Sequence, residues 1–516
     1  MVDGNSLNDT GSSCDTSNAD GHTGLGPTRN KVSHHRAART LVYSHRWLGI
    51  ALSILFVAWF ASGIVMMYAR MPELTAADRL ARLAPIEFAA VRIEPGAVAD
   101  EASRFTITTF DGRPVYRVTS PGTSQTIFAD TGEQLAPLTG DRAVEVARRF
   151  AGSTAVHHEA RLEDPDQWTF GVRGQMPMHR VAVDDAEGTR LYVAELSGEV
   201  VMRTTTSGRT WGYLGAVFHW LYFTPLRRDA ALWNSTIVWT SLAGTVMALA
   251  GFVWGLWRFS PRRPYRLKRQ LSRTPYAGLV KWHHYAGLIF GLTTITWVFS
   301  GLLSMDPWDW HPSTAPTRAQ REAVSQGPLH PAEVSMTHLQ KGLAAFGHAT
   351  PREIDIIRFR GHHYLRANAG LVALDVTAQG PDEMFHADAI LAAAGEAMPG
   401  VPIEGVYWMT EYDAYYYSRN GQLNLPVLRV RFADPQQTWL YLDPRRGVIA
   451  RKEERWTRVN RWLYHGLHSL DFPFLYYRRP LWDLVLIVLS LGGLVLSVTT
   501  MWAAYRRLRR GVRKLI

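Results

Sequence analysis

Apolar residues run almost unbroken through four stretches of the chain, at about 47–68, 233–257, 285–305 and 482–504. Each is close to the ~20 residues with which a helix crosses ~30 Å of hydrocarbon. Backbone polar groups must be paired there, so four spanning helices are predicted. Between the runs the pattern shortens. "TRLYVAELSGEVV" (189–201) and "TWLYLDPRRGVIA" (438–450) alternate around a glycine, which predicts strand, turn and strand. "FTITTFDGRPVYRV" and "QTIFADTGE" give further strand and turn signals. "LTGDRAVEVARRFAG" carries a helical stripe with Asp141 as N-cap, and "EVSMTHLQKGLAAFG" is expected to be the matching helix later in the chain.

The elements recur. "SHRWLGIALSILFVAWFASG" (44–63) and "WHHYAGLIFGLTTITWVFSG" (282–301) both read H-x3-G-x9-W-x2-S-G, pairing His45 with His283, Gly49 with Gly287, Trp59 with Trp297, Ser62 with Ser300 and Gly63 with Gly301. A second recurrence pairs His219 with His468, Trp233 with Trp482, Ser241 with Ser490, Leu242 with Leu491 and Gly244 with Gly493. The fold class expected is integral membrane α-helical: four transmembrane helices as a tandem, parallel duplication, each helix pair joined by an outer α+β lobe.

Charge orients this arrangement. The net charge is +11, and residues 258–281 hold eight Lys/Arg while the tail "YRRLRRGVRKLI" holds six, neither with an acid. Both flank spanning helices, so the positive-inside rule puts them in the cytoplasm. The membrane accounts for the basic excess, and no nucleic-acid partner is expected. The domains expected are a disordered cytoplasmic tail (1–38), a first helix (39–70), a periplasmic lobe (71–210), an interfacial segment with the second helix (211–258), a basic cytoplasmic loop (259–281), a third helix (282–305), a second periplasmic lobe (306–460), an interfacial segment with the fourth helix (461–505) and a basic cytoplasmic tail (506–516). The setting is a bacterial inner membrane, with both termini inside. Cys14 is the only cysteine, so the outer lobes have no disulfide, and no C-x-x-C-H is present.

The recurring histidines carry the candidate chemistry. His45 and His283 stand at the inner ends of their helices; His219 and His468 stand just before theirs, on the outer side. Parallel repeats place each pair at one depth, face to face. Two opposed imidazoles can be the axial ligands of one haem iron, so two haems, one for each pair, are expected per chain. Gly49 and Gly287 lie one turn beyond their histidines on the same face and leave room for a porphyrin. His284 competes with His283. His465 competes with His468, which is preferred because its spacing to the next tryptophan equals that of His219.

"HRWLGI", "WHHYAGL…TWVFSGLLSM", "YDAYYYSRNGQLNLPVLRVRF" and "GLHSLDFP…RPLWD" resemble the PepSY-associated transmembrane proteins of bacterial inner membranes, over about residues 39–505. The segment 141–203 is similar to a PepSY domain. The resemblance implies PepSY-like periplasmic lobes, and haem ligation by His45, His219, His283 or His284, and His468. Some members of that family are ferric-siderophore reductases.

Three other stretches offer polar or charged side chains. "MDPWDWHP" offers Asp306, Asp309 and His311 as metal donors, or a helix stop with interfacial tryptophans. "YWMTEYDAYYYSRNG" (407–421), with Glu411, Asp413 and Arg419, offers a grip for a catecholate or hydroxamate, or a strand ending in a turn. "GHHYLR" (361–366) reads as a surface hairpin. No nucleotide-binding or hydrolase motif appears, and the 24-residue inner loop is too short to fold a flavin or nucleotide domain.

Two functions follow. One is a haem-dependent oxidoreductase that carries electrons across the lipid bilayer, from a cytoplasmic reductase or quinol to a periplasmic ferric chelate. Arg227, Arg228, Arg478 and Arg479 would then pair with haem propionates. The alternative is a non-catalytic PepSY protein acting as inhibitor, sensor or scaffold for a periplasmic partner.

Overall fold

The computed structural model describes residues 28–120, 123–267, 270–368, 370–374, 382–418 and 423–512. It corrects the expected class. Helix makes up 48% of the chain and strand 20%, in four sheets, so the fold is mixed α/β and not integral membrane α-helical. Long apolar runs dominate a hydropathy pattern, whereas sixteen strands of three to eight residues do not. Among the described residues, four helices are nonetheless long and apolar enough to cross a membrane.

In chain order, helix α1 (Thr28–Met66) leads to strands β1 (Arg104–Phe110), β2 (Arg113–Ser120) and β3 (Thr123–Phe128). Helix α2 (Gly140–Ala151) and strands β4 (Val156–Leu162), β5 (Met178–Val183), β6 (Arg190–Ala194) and β7 (Val200–Thr204) follow. Helix α3 (Ala230–Arg258), the hairpin β8 (Tyr265–Leu267) and β9 (Gln270–Ser272), and helix α4 (Leu279–Leu303) come next. The second half adds α5 (Met336–Ala345), β10 (Ile354–Phe359), β11 (His362–Ala367), β12 (Gly370–Ala373), α6 (Ala387–Ala397), β13 (Ile403–Met409), β14 (Val427–Phe432), β15 (Trp439–Asp443), β16 (Val448–Glu453) and α7 (Leu481–Val512).

Several local expectations change. The first helix begins at Thr28, inside the segment expected to be disordered; residues 1–27 of that segment lie outside the described residues. Helix α2 is capped by Thr139, whose side chain accepts from the Arg142 N–H, and not by Asp141. The counterpart of α2, lying between a three-stranded and a four-stranded run, is α6; "EVSMTHLQKGLAAFG" forms α5, ahead of its sheet. The alanine-rich α6 has a weak polar face and gave little signal.

The two lobes share a sheet. Its order is β12-β11-β10-β1-β2-β3, joined where β1 pairs antiparallel with β10 and Thr106 lies opposite Asp355. Three strands from either half would leave an open edge; pairing the two removes it. One face buries Phe105, Ile107, Tyr116 and Val118 with Ile354, Ile356 and Leu365 in a single core. The other face divides. Phe110, Val115 and Phe128 pack with α2 and the sheet β4–β7, while Phe359 and Leu371 pack with α6 and the sheet β13–β16. Two-residue turns start either half: Asp111–Gly112 and Arg360–Gly361 all have positive φ, as a tight hairpin requires. "GHHYLR" is therefore a hairpin, but β11 lies inside the sheet and His363 is buried. Gly198 and Gly447 turn the later hairpins at φ +67 and +61, and a Cβ there would sit 2.4 Å from Phe110 and 2.7 Å from Phe385.

The long helices close into a ring in which α1 touches α3 and α7, and α4 touches the same two. Helices α1 and α4 thus face one another across the bundle. Its centre holds Phe56, Phe60, Met247 and Val298, flanked by Trp59 and Trp297.

Candidate functional site

The inner histidines sit on the two facing helices. His45 of α1 and His283 of α4 have ring centroids 6.0 Å apart. The outer histidines lie on short re-entrant turns. A π-helical turn at Tyr213–Val217 precedes His219, and another at Arg461–Gly466 precedes His468. Leu221 and Leu470 then reverse the chain at positive φ. Trp233 and Trp482, at the heads of α3 and α7, donate from Nε1 to the carbonyls of Trp220 and Ser469. That bond sets the constant histidine-to-tryptophan spacing in both copies. His219 and His468 also stand 6.0 Å apart.

Each ring is held by its Nδ1. His45 Nδ1–H donates to the Met247 carbonyl at 3.0 Å. His283 Nδ1 lies 3.0 Å from Thr499 Oγ1, whose own proton goes to the carbonyls of Val495 and Leu496. His219 Nδ1 lies 3.1 Å from Ser62 Oγ, and His468 Nδ1 lies 3.1 Å from Ser300 Oγ. Ser62 and Ser300 spend their protons on the carbonyls of Trp59 and Trp297. The Met247 carbonyl at His45 and the Trp297 carbonyl, 3.2 Å from His468 Nδ1, can only accept, so there Nδ1 carries the proton and Nε2 the lone pair, the tautomer a metal ligand needs; the hydroxyls at His283 and His219 are compatible with the same arrangement. Burial, and then the neighbouring His468, lower His219 to about 4, which keeps that ring neutral.

The competing histidines are otherwise engaged. His284 Nδ1 meets Thr274 Oγ1 at 2.7 Å, its Nε2 meets the Gly255 carbonyl at 2.8 Å, and the residue is buried. His465 packs on Tyr464, while His468 is the ring that faces His219. Gly49 and Gly287 line a cavity of about 780 Å³ together with His45, His283 and His284. Gly251, also in its wall, leaves no room for a Cβ, which would stand 2.3 Å from the His45 ring.

The geometry fits a haem. A metal held between the two imidazoles of a pair, at metal–nitrogen distances of about 2.0–2.1 Å, would set the ring centroids about 6 Å apart. Both pairs have that spacing, and the protein needs to give only two donors because a porphyrin gives four. Other candidates fare differently. His311 Nε2 is 3.5 Å from Asp306 Oδ1, and among the described residues no group of three His, Cys, Asp or Glu is placed to hold a metal ion. In the tyrosine-rich stretch, Tyr416 is fully buried and stacked on Tyr441, and Asp413 binds Arg429, so this stretch builds a core. Arg419 lies outside the described residues. Arg227 stacks over Trp233 and Tyr222, and Arg479 pairs with Asp483.

Sequence reasoning found the four histidines and missed what orients them. Ser62 and Ser300 were visible as the recurring S-G of the helix motif, one serine per copy and always 17 residues past the histidine. The motif thus serves both pairs: its histidine belongs to the inner one and its serine to the outer. Ser62→Ala is expected to leave the inner pair untouched and to weaken haem retention at the outer pair by about 10–100-fold, the usual cost of an orienting partner. Haem loss to apomyoglobin, followed at the two sets of bands, measures it; equal loss at both would contradict the assignment. No protein-family model matches the chain, and no curated protein matches it.

Proposed function

We propose that the chain is an electron-transfer protein of a bacterial inner membrane, holding two b-type haems and passing electrons from a cytoplasmic reductase or the quinol pool to a periplasmic ferric complex, with iron acquisition as its purpose. One observation carries the reading: two histidine pairs, both at 6.0 Å, with all four rings held through Nδ1.

Haem held there supplies a reversible one-electron centre. The residues do the rest. With both histidines of a pair on one iron, no position would stay open for oxygen. The four apolar helices cross the bilayer, and the basic hairpin β8–β9 and the tail hold the inner face. That orientation puts both termini in the cytoplasm and the shared-sheet lobes in the periplasm. Trp59, Phe56, Phe60 and Trp297 fill the bundle between the two pairs and keep water out. On this reading the lobes would receive the acceptor beside His219 and His468.

Colour is the test. Detergent-purified protein from haem-replete cells is expected to show a Soret band, a sharp α band on reduction and about two haems per chain. A colourless preparation would sink the reading and leave an inhibitor, sensor or scaffold.

A further inference from the structure

The shared sheet sets Arg117, Thr106, Asp355 and Arg366 in one row across β2, β1, β10 and β11. The arginines stand at equivalent places beyond the hairpin glycines Gly112 and Gly361. Between them the match breaks, because Thr106 occupies the place that Asp355 takes in the other half. Asp355 accepts from Thr106 at 2.7 Å, from Arg104 at 3.3 Å and from Arg366. Arg117 has Thr106, not a carboxylate, opposite it on the neighbouring strand. Its Nη1 lies 3.0 Å from Glu199 Oε1, an oxygen that Arg79 Nη1 approaches at 2.8 Å. Arg117 Nε is buried and makes no hydrogen bond. A buried N–H without an acceptor is costly and points to something missing beside it.

Beside it is a cavity of about 370 Å³. Arg79, Arg82, Arg117 and Arg149 bring guanidiniums to its wall, against the carboxylates of Asp111 and Glu199. Asp111 is already bound by Arg142 and Arg149, and Arg79 is bound a second time by Glu353 at 2.7 Å. Arg82 lies over the Phe150 ring at 4.9 Å and donates to the Phe150 carbonyl. Leu83, Phe110, Phe150 and Val200 make the remaining wall apolar.

We propose that this cavity binds a small organic polycarboxylate anion. Guanidinium groups match the two oxygens of a carboxylate; Glu145 also engages Arg142 and Arg149, so the spare charge comes from Arg82, which donates to the Phe150 carbonyl and not to a carboxylate, and from Arg79 and Arg117, which share Glu199. The apolar wall favours a carbon skeleton over inorganic phosphate. The site shares no lining residue with the cavity at His45 and His283, so it stands or falls apart from the haem reading.

Isothermal titration calorimetry on the full chain in detergent tests it, with citrate, inorganic phosphate and chloride at matched ionic strength. Wild type is expected to bind citrate saturably, and phosphate at least about tenfold more weakly. Arg117→Gln and Arg82→Gln should each weaken citrate by about tenfold or more, the scale of a lost charged hydrogen bond. Arg82 is exposed, so its variant keeps the test valid where Arg117→Gln is unstable. The proposal is overturned by absent saturable binding to wild type, by phosphate binding as tightly as citrate, or by citrate binding unchanged in the folded variants.

Discussion

His45→Ala protein is expected to carry about one haem per chain where wild type carries about two. His45 faces only His283, and the outer pair is held by separate anchors, Ser62 and Ser300. Seventeen residues of helix separate His45 from Ser62, about 25 Å at 1.5 Å per residue, so the outer rings do not feel the change. The cavity at Gly49, Gly251 and Gly287 is lined on both sides by glycine, and alanine at position 45 adds no clash. A haem-to-protein ratio from pyridine haemochrome and protein assay reads the result. Loss of both haems from a folded variant would show that the two pairs are one cooperative site, and retention of both would remove His45 as a ligand.

The second large effect separates the two faces. In oriented proteoliposomes, a ferric chelate added on the lobe side should reoxidise the dithionite-reduced wild type. His468→Ala should slow this by about 100-fold or more, because one ring of the outer pair is gone while His45 and His283 stay in place. His45→Ala should instead keep the exchange at the lobe side and block electrons supplied from the side of the basic hairpin. Stopped-flow absorbance on both variants measures the asymmetry. Equal reoxidation of His468→Ala and wild type would mean that the acceptor does not take electrons at the outer pair.

Why were the histidines legible and the sheet not? His45 and His283 begin the same motif twice, and His219 and His468 stand at one distance from a tryptophan; a repeated offset is visible in a linear string. Ser62 and Ser300 repeat too, but a serine in an apolar helix commonly bonds its own backbone, and nothing local said that it also holds a ring from another segment. The Met247 carbonyl that orients His45 has no sequence signature at all, since any residue offers one. His283 and His284 were inseparable in the string; in the structure Thr274 and the Gly255 carbonyl take both nitrogens of His284. The shared sheet joins Thr106 to Asp355, 249 residues away, and pairing at that distance leaves no local pattern. The class was misjudged for another reason: four continuous apolar runs outweigh many short strands, although most of these pair with a neighbour in their own half.

The aromatic centre of the bundle has an energetic consequence. Phe60 and Trp297 lie 5.9 Å apart, and Phe56 packs against both Trp59 and Phe60, so the space between the inner and outer pairs is filled by rings. In a bilayer, a layer packed with rings in this way would bear a share of the voltage across it. On the proposed reading, an electron passing outward through it crosses that voltage without an accompanying proton. A cell interior that is negative then pushes the electron in the direction of export, with about 2.3 kcal/mol for every 100 mV. The membrane potential would serve as a driving force for reduction outside, and its collapse by an ionophore would slow the outward reaction even with the donor in excess.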